Sequence, residues 1–141
     1  MKLLSRENLL TREQLQVKEV SLGNDEFVYV RQMTGHEREL FEASIRNIIK
    51  DEDGKIVKYE SSLENFRAKI AVMTICDEQG KLLLTPEDVE ELNNSLSASR
   101  IVKIADAASE LNKISESDKE DLIKNSEAGK TGNSNSDSAV N

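Results

Sequence analysis

Two side chains in this sequence could do chemistry of their own, His36 and Cys76, and each is the only one of its type. An imidazole passes protons near neutral pH, and a thiolate is a nucleophile. Their settings argue against both uses. His36 lies in Thr34-Gly35-His36-Glu37, a capping-box pattern that puts it in the exposed first turn of a helix. Cys76 ends the apolar run Ile70-Ala71-Val72-Met73-Thr74-Ile75-Cys76, where a thiol packs as a small hydrophobe. One histidine and one cysteine do not complete an ordinary zinc set, and a lone cysteine forms no internal disulfide. Two loop-like segments fail on spacing. Gly129-Lys130-Thr131 ends like a phosphate-binding loop, but Lys124 stands where that loop needs its first glycine. Asp51-Glu52-Asp53-Gly54 has the acids of a calcium loop, but its glycine is fourth where sixth is required. We therefore expect no catalytic residue, cofactor or metal, and a binding protein in place of an enzyme.

Composition points the same way. The 141 residues carry 19 Lys+Arg against 27 Asp+Glu, a net charge of −8, with 37% hydrophobic residues, 4% aromatics and no tryptophan. Such acidity disfavours phosphate backbones and anionic lipid surfaces, so neither nucleic acid nor membrane is expected as a partner. No apolar run approaches the roughly 20 residues of a membrane span, and the opening residues lack the apolar stretch of a secretion signal. The expected location is the cytoplasm.

The elements that would position any functional residue follow from periodicity and caps. Ser5 and Thr11 each offer a helix start within residues 5–14. The β-rich runs 17–22 and 26–32 flank Gly23-Asn24-Asp25 and predict a hairpin, with Val28 and Val30 on its core face. A helix is predicted from Thr34 with Leu40, Phe41, Ser44, Ile45, Ile48 and Ile49 as its stripe, closed by the charged turn Asp51 to Lys55. Another begins at Ser61 or Ser62 and carries Leu63, Phe66, Ile70 and Met73. Asp77 to Lys81 is a second charged reversal, followed by Leu82-Leu83-Leu84 as an edge strand. Thr85-Pro86-Glu87-Asp88 opens a further helix. The stripe Ala98, Ile101, Val102, Ala105, Ala108 and Leu111 gives the next, and a short last helix starts at Ser115. The fold class is α+β, predominantly α, with one N-terminal β-hairpin and about five helices. Residues 1–125 form the domain, and the polar stretch 126–141 is expected to be a disordered tail. Leu111, Ile114, Leu122 and Ile123, at the edge of that domain, are the candidate partner-binding residues, suited to a docked helix.

In order along the chain, these segments resemble the tail assembly chaperones of long-tailed bacteriophages. The resemblance runs through Leu9-Leu10-Thr11-Arg12-Glu13-Gln14-Leu15, then through Val28-Tyr29-Val30-Arg31-Gln32-Met33-Thr34-Gly35-His36-Glu37-Arg38, similar to a strand entering "(L/M)TG-x-ER". It continues in Cys76-Asp77-Glu78-Gln79-Gly80-Lys81-Leu82 and Leu84-Thr85-Pro86-Glu87-Asp88-Val89-Glu90-Glu91-Leu92, similar to "DE-x-GK-x-LFT-x-x-DVE-x-L", with Leu84 where phenylalanine is common. It closes with Leu111-Asn112-Lys113-Ile114-Ser115-Glu116. The resemblance implies a non-enzymatic protein of the infected cell's cytoplasm that binds the tape-measure protein, keeps it soluble, helps recruit the tail-tube protein and is absent from the mature virion. It also implies several copies on one client, or a homo-oligomer, and in such families a frameshifted longer form. The alternative from composition alone is a small acidic regulatory adaptor or antitoxin-like inhibitor.

Overall fold

The computed structural model describes residues 1–61, 65–114 and Asp118. Five α-helices and five strands lie among the described residues: α1 (Arg6–Leu10), β1 (Val17–Gly23), β2 (Glu26–Arg31), α2 (Gly35–Ile45), β3 (Arg46–Lys50), β4 (Ile56–Ser61), α3 (Phe66–Thr74), β5 (Ile75–Cys76), α4 (Val89–Ser95) and α5 (Ala98–Leu111). A 3-10 turn, Pro86–Asp88, leads into α4. The architecture is α+β with helix predominating. None of these helices is long and apolar enough to cross a membrane.

The first hairpin forms as its turn residues require. Asn24 (φ 54°) and Asp25 (φ 60°) both take the left-handed conformation, giving the two-residue turn whose twist matches paired strands. The ladder runs from Val17↔Arg31 to Gly23↔Glu26. β2 is central, because β5 adds to its other edge through Tyr29↔Cys76 and Val30↔Ile75. The valine face turns inward as expected: Val30 is fully buried and Val28 packs against the core.

The helix expected to run through Ile49 ends instead at Ile45, and a second hairpin, β3–β4, follows. Ile45, Ile48 and Ile49 satisfy helical spacing, but β-branched residues favour strands once a partner run is available. Ile56 to Tyr59 supplies that partner, with Ile48↔Tyr59 and Ile49↔Lys58 in register. Between them Asp51 Oδ1 accepts from the amides of Asp53 and Lys55 at 2.9 Å each, and Gly54 takes φ +80°. The segment is a turn, as expected, but a hairpin turn.

Other boundaries also shift. Ser5, not Thr11, caps the leading helix, its side chain accepting from the Asn8 amide. Ser61 ends β4 and the next helix begins at Phe66; Ser62 and Leu63 lie outside the described residues. Of Leu82-Leu83-Leu84 only Leu82 makes a bridge, to Cys76. The last helix expected from Ser115, the boundary at 125 and the polar tail 126–141 also fall outside the described residues.

α3 is the centre of the core: Ala68, Ile70, Ala71, Val72 and Thr74 are buried on every side. Its small residues let neighbouring elements approach, and Phe66 meets Phe41 of α2 edge to face at 5.6 Å. α5 packs across α3 and the sheet through Ile101, Ile104, Ala105 and Ala108, the i, i+3, i+4, i+7 stripe of a half-buried helix. Ile104, absent from the predicted stripe, is fully buried, while Ala98 is exposed. Ile104→Ala should lower unfolding free energy by about 2–5 kcal/mol, read as a lower urea midpoint at unchanged slope.

Candidate functional site

Four segments meet around one buried cation, the first two adjacent in sequence and the other two distant from them. Arg31, the last residue of β2, has a side chain only 4% exposed. Its guanidinium holds Glu37 with two hydrogen bonds, Nη1 to Oε1 at 2.9 Å and Nη2 to Oε2 at 2.8 Å, and Nη1 also donates to the Gln32 carbonyl. Glu37 is the third residue of α2 and completes a capping box. It accepts from the Thr34 amide at 2.9 Å while the Thr34 hydroxyl accepts from the Glu37 amide. The carboxylate therefore caps a helix and neutralises a buried guanidinium at once. Burial alone would raise the Glu37 pKa. The hydrogen bonds from Arg31 and Thr34, with the charge of Arg31, outweigh burial and hold the pKa below its ordinary 4.5.

The third segment is the end of α5. Asn112 Oδ1 accepts from the Met33 amide at 2.7 Å, and its Nδ2 donates to the carbonyls of Ala108 (2.9 Å) and Arg31 (3.3 Å). Arg38 reaches back to the Asn112 carbonyl at 3.1 Å and pairs with Glu42. The fourth is the charged reversal after β5. Asp77 Oδ1 accepts from the amides of Gln79 and Lys81, and Gly80, at φ +85°, lies over the Arg31 stem, where an added Cβ would stand 3.8 Å from Arg31 Cδ.

Both terminal nitrogens of Arg31 and both oxygens of Glu37 are paired in this junction, and Arg31 Nε alone is buried without an acceptor among the described residues. His36 is exposed in the first turn of α2. Cys76 is 2% exposed; burial pushes its thiol pKa up, the nearby Arg31 charge opposes that, and Asp77 adds to it. A protonated, buried thiol is a packing residue. Among the described residues no three His, Cys, Asp or Glu side chains converge to hold a metal ion.

The apolar candidates separate. Ile114 is buried in the core and Leu111 packs against it, so Ile114 is not presented to a partner; Leu122 and Ile123 lie outside the described residues. Exposed apolar side chains stand elsewhere. Leu3, Leu4, Leu9 and Leu10, on and before α1, are 96, 49, 66 and 68% exposed, and Ile56 and Val57 stand out at the start of β4. A cleft of about 160 Å³ between α2, α3 and the start of α4 is lined by Leu40, Phe41, Val72, Met73, Pro86 and Val89. Leu40 belongs to the helical stripe that spacing predicts, yet it is half exposed. Phe41 and Ile45 point inward, which leaves Leu40 and Ser44, on the neighbouring stripe, at the mouth of the cleft.

The Arg31–Glu37 pair makes stability depend on pH with a definite sign. A carboxylate whose pKa is depressed by folding stabilises above its unfolded pKa, and that contribution is lost as pH falls through the lower folded value. Glu37→Gln should therefore cost about 2–4 kcal/mol near neutrality, with the gap to the parent narrowing below about pH 4.5 in urea titrations at stepped pH. Comparison of the chain with protein-family models, with curated proteins and with solved structures finds no match in any of the three.

Proposed function

We propose that this chain is a tail assembly chaperone of a long-tailed bacteriophage, acting in the infected cell's cytoplasm. It binds the tape-measure protein stoichiometrically, keeps it soluble and helps bring tail-tube subunits to it. The observation that carries this reading is the convergence at Arg31. Of the five segments on which the resemblance rests, three, 28–38, 76–82 and 111–116, have residues that meet around Arg31: Glu37 and Asn112 through hydrogen bonds, and Gly80 by packing on the Arg31 stem.

The surface suits the task. A stoichiometric holder of long amphipathic helices needs apolar side chains outside its own core, and Leu3, Leu9, Leu10, Leu40, Ile56 and Val57 are each about half exposed or more. A net charge of −8 keeps crowded complexes apart by mutual repulsion. Co-expression with the tape-measure protein of the same phage is the test. The soluble fraction of the tape measure should rise severalfold and the two should co-purify; equal aggregation with and without this chain would reject the assignment.

A further inference from the structure

α1 has five residues and buries none of them, and a helix of that length does not hold itself in water. Its leucines nevertheless belong to a shaped surface. Leu4, Leu9 and Leu10 line a hollow of about 840 Å³ together with Leu15, before β1, and Met33, after β2. That volume is within the range of clefts that enclose a ligand.

The same wall marks where α5 ends. The Met33 amide donates to Asn112 Oδ1 at 2.7 Å, and Leu111 shares a neighbouring hollow with Gln14 and Leu15. Lys113 then takes the left-handed conformation (φ 57°), its amide donating to the Glu110 carbonyl at 3.2 Å while the Ile114 amide donates to the Ser109 carbonyl at 2.8 Å. These are the paired bonds of a Schellman ending, which turns the chain off the helix axis. Ile114 is buried, so the segment that follows starts two residues from a side chain bonded to the hollow's wall. Asp118, the one described residue beyond Ile114, is helical and half-buried.

Sequence supplies an occupant of matching chemistry. The first large apolar side chains after Ile114 are Leu122 and Ile123. The eight steps from Ile114 to Leu122 span roughly 12 Å as helix and roughly 27 Å extended, enough to cross such a hollow. Charges are opposed as well. Residues 2–13 carry Lys2, Arg6 and Arg12 against Glu7 and Glu13, with Arg12 and Glu13 in the wall itself. Residues 115–125 carry Glu116, Asp118, Glu120 and Asp121 against Lys119 and Lys124.

We propose that residues 115–125 of the same chain seat in this hollow, with Leu122 and Ile123 against Leu9, Leu10 and Met33 and the acids of the segment towards Arg6 and Arg12. The leucine surface is then a covered one, for which a client helix of the same chemistry would have to compete. The contact is internal to the chain and stands whether or not that client is a tape-measure protein.

The test is residue-resolved amide hydrogen exchange on the full chain with two reciprocal variants. The Leu9 and Thr11 amides, which donate to the Ser5 and Glu7 carbonyls, report on α1. In Leu122→Asp/Ile123→Asp they should exchange at least about tenfold faster than in the parent, the scale of uncovering one leucine. Leu9→Asp/Leu10→Asp replaces two exposed side chains and should speed exchange of the amides of residues 119–125 by a similar factor. The Ile104 amide, inside α5, should exchange at the parent rate in both. Protection of α1 should be unchanged over a hundredfold range of protein concentration and weaker at high salt. Equal exchange of α1 in parent and variant would overturn the proposal. So would protection that grows with concentration, which would assign the hollow to a second copy.

Discussion

A guanidinium cannot be taken out of water without a partner, and in this domain the partner is supplied by a helix cap. Arg31 is buried at the end of the central strand, and Glu37 meets both of its terminal nitrogens from the first turn of α2. Arginine suits the position because its planar fork binds a carboxylate through two parallel bonds, which a lysine ammonium cannot do. The arrangement is not free of cost, since Arg31 Nε is buried without an acceptor among the described residues. Removing Glu37 would leave the cation buried and unpaired, which is more damaging than never having placed a pair there. The pair fixes how α2 leaves the sheet. Asn112 then fixes how α5 closes against that exit, and the Asp77–Lys81 turn covers the Arg31 stem.

Local chemistry was legible in the sequence where a few adjacent residues decide it. Thr34 and Glu37 form the capping box that their spacing implies, Asn24 and Asp25 turn the first hairpin, and Val30 faces the core. What the sequence did not disclose are tasks assigned by tertiary contact. Glu37 is a complete helix cap by local rules, and nothing local marks it as the counter-ion of Arg31. Arg31 itself shares a strand face with exposed Phe27, and Glu37 and the later turn at Gly80 cover it. The stretch Ile45 to Ile49 fits a helix and a strand equally well, and Ile56 to Tyr59 decides between them. Leu111 and Ile114 looked like an exposed end, but the end of α5 folds back against the strand that holds Arg31.

The two charged reversals show how one local motif serves two purposes. Asp51 and Asp77 make the same pair of carboxylate bonds to the amides two and four residues on, and Gly54 and Gly80 take nearly the same positive φ. Around Gly54 there is open space, so that turn simply reverses an outlying hairpin; Gly80 rests on Val17 and Arg31, so its turn is part of the junction. Among the described residues the same division recurs: the α3 core is buried, while the leading helix, the start of β4 and Leu40 of α2 leave apolar side chains exposed.

The central claim is that Arg31 and Glu37 act as one unit on which the domain's stability depends, and a double-mutant cycle measures it directly. Unfolding free energies from urea titration near neutral pH are needed for the parent, Arg31→Met, Glu37→Gln and the double variant. The account predicts that each single change is destabilising by about 2–4 kcal/mol and that the double variant loses clearly less than their sum, with a coupling of about 1–3 kcal/mol. Additive losses, with no coupling between the two positions, would contradict it.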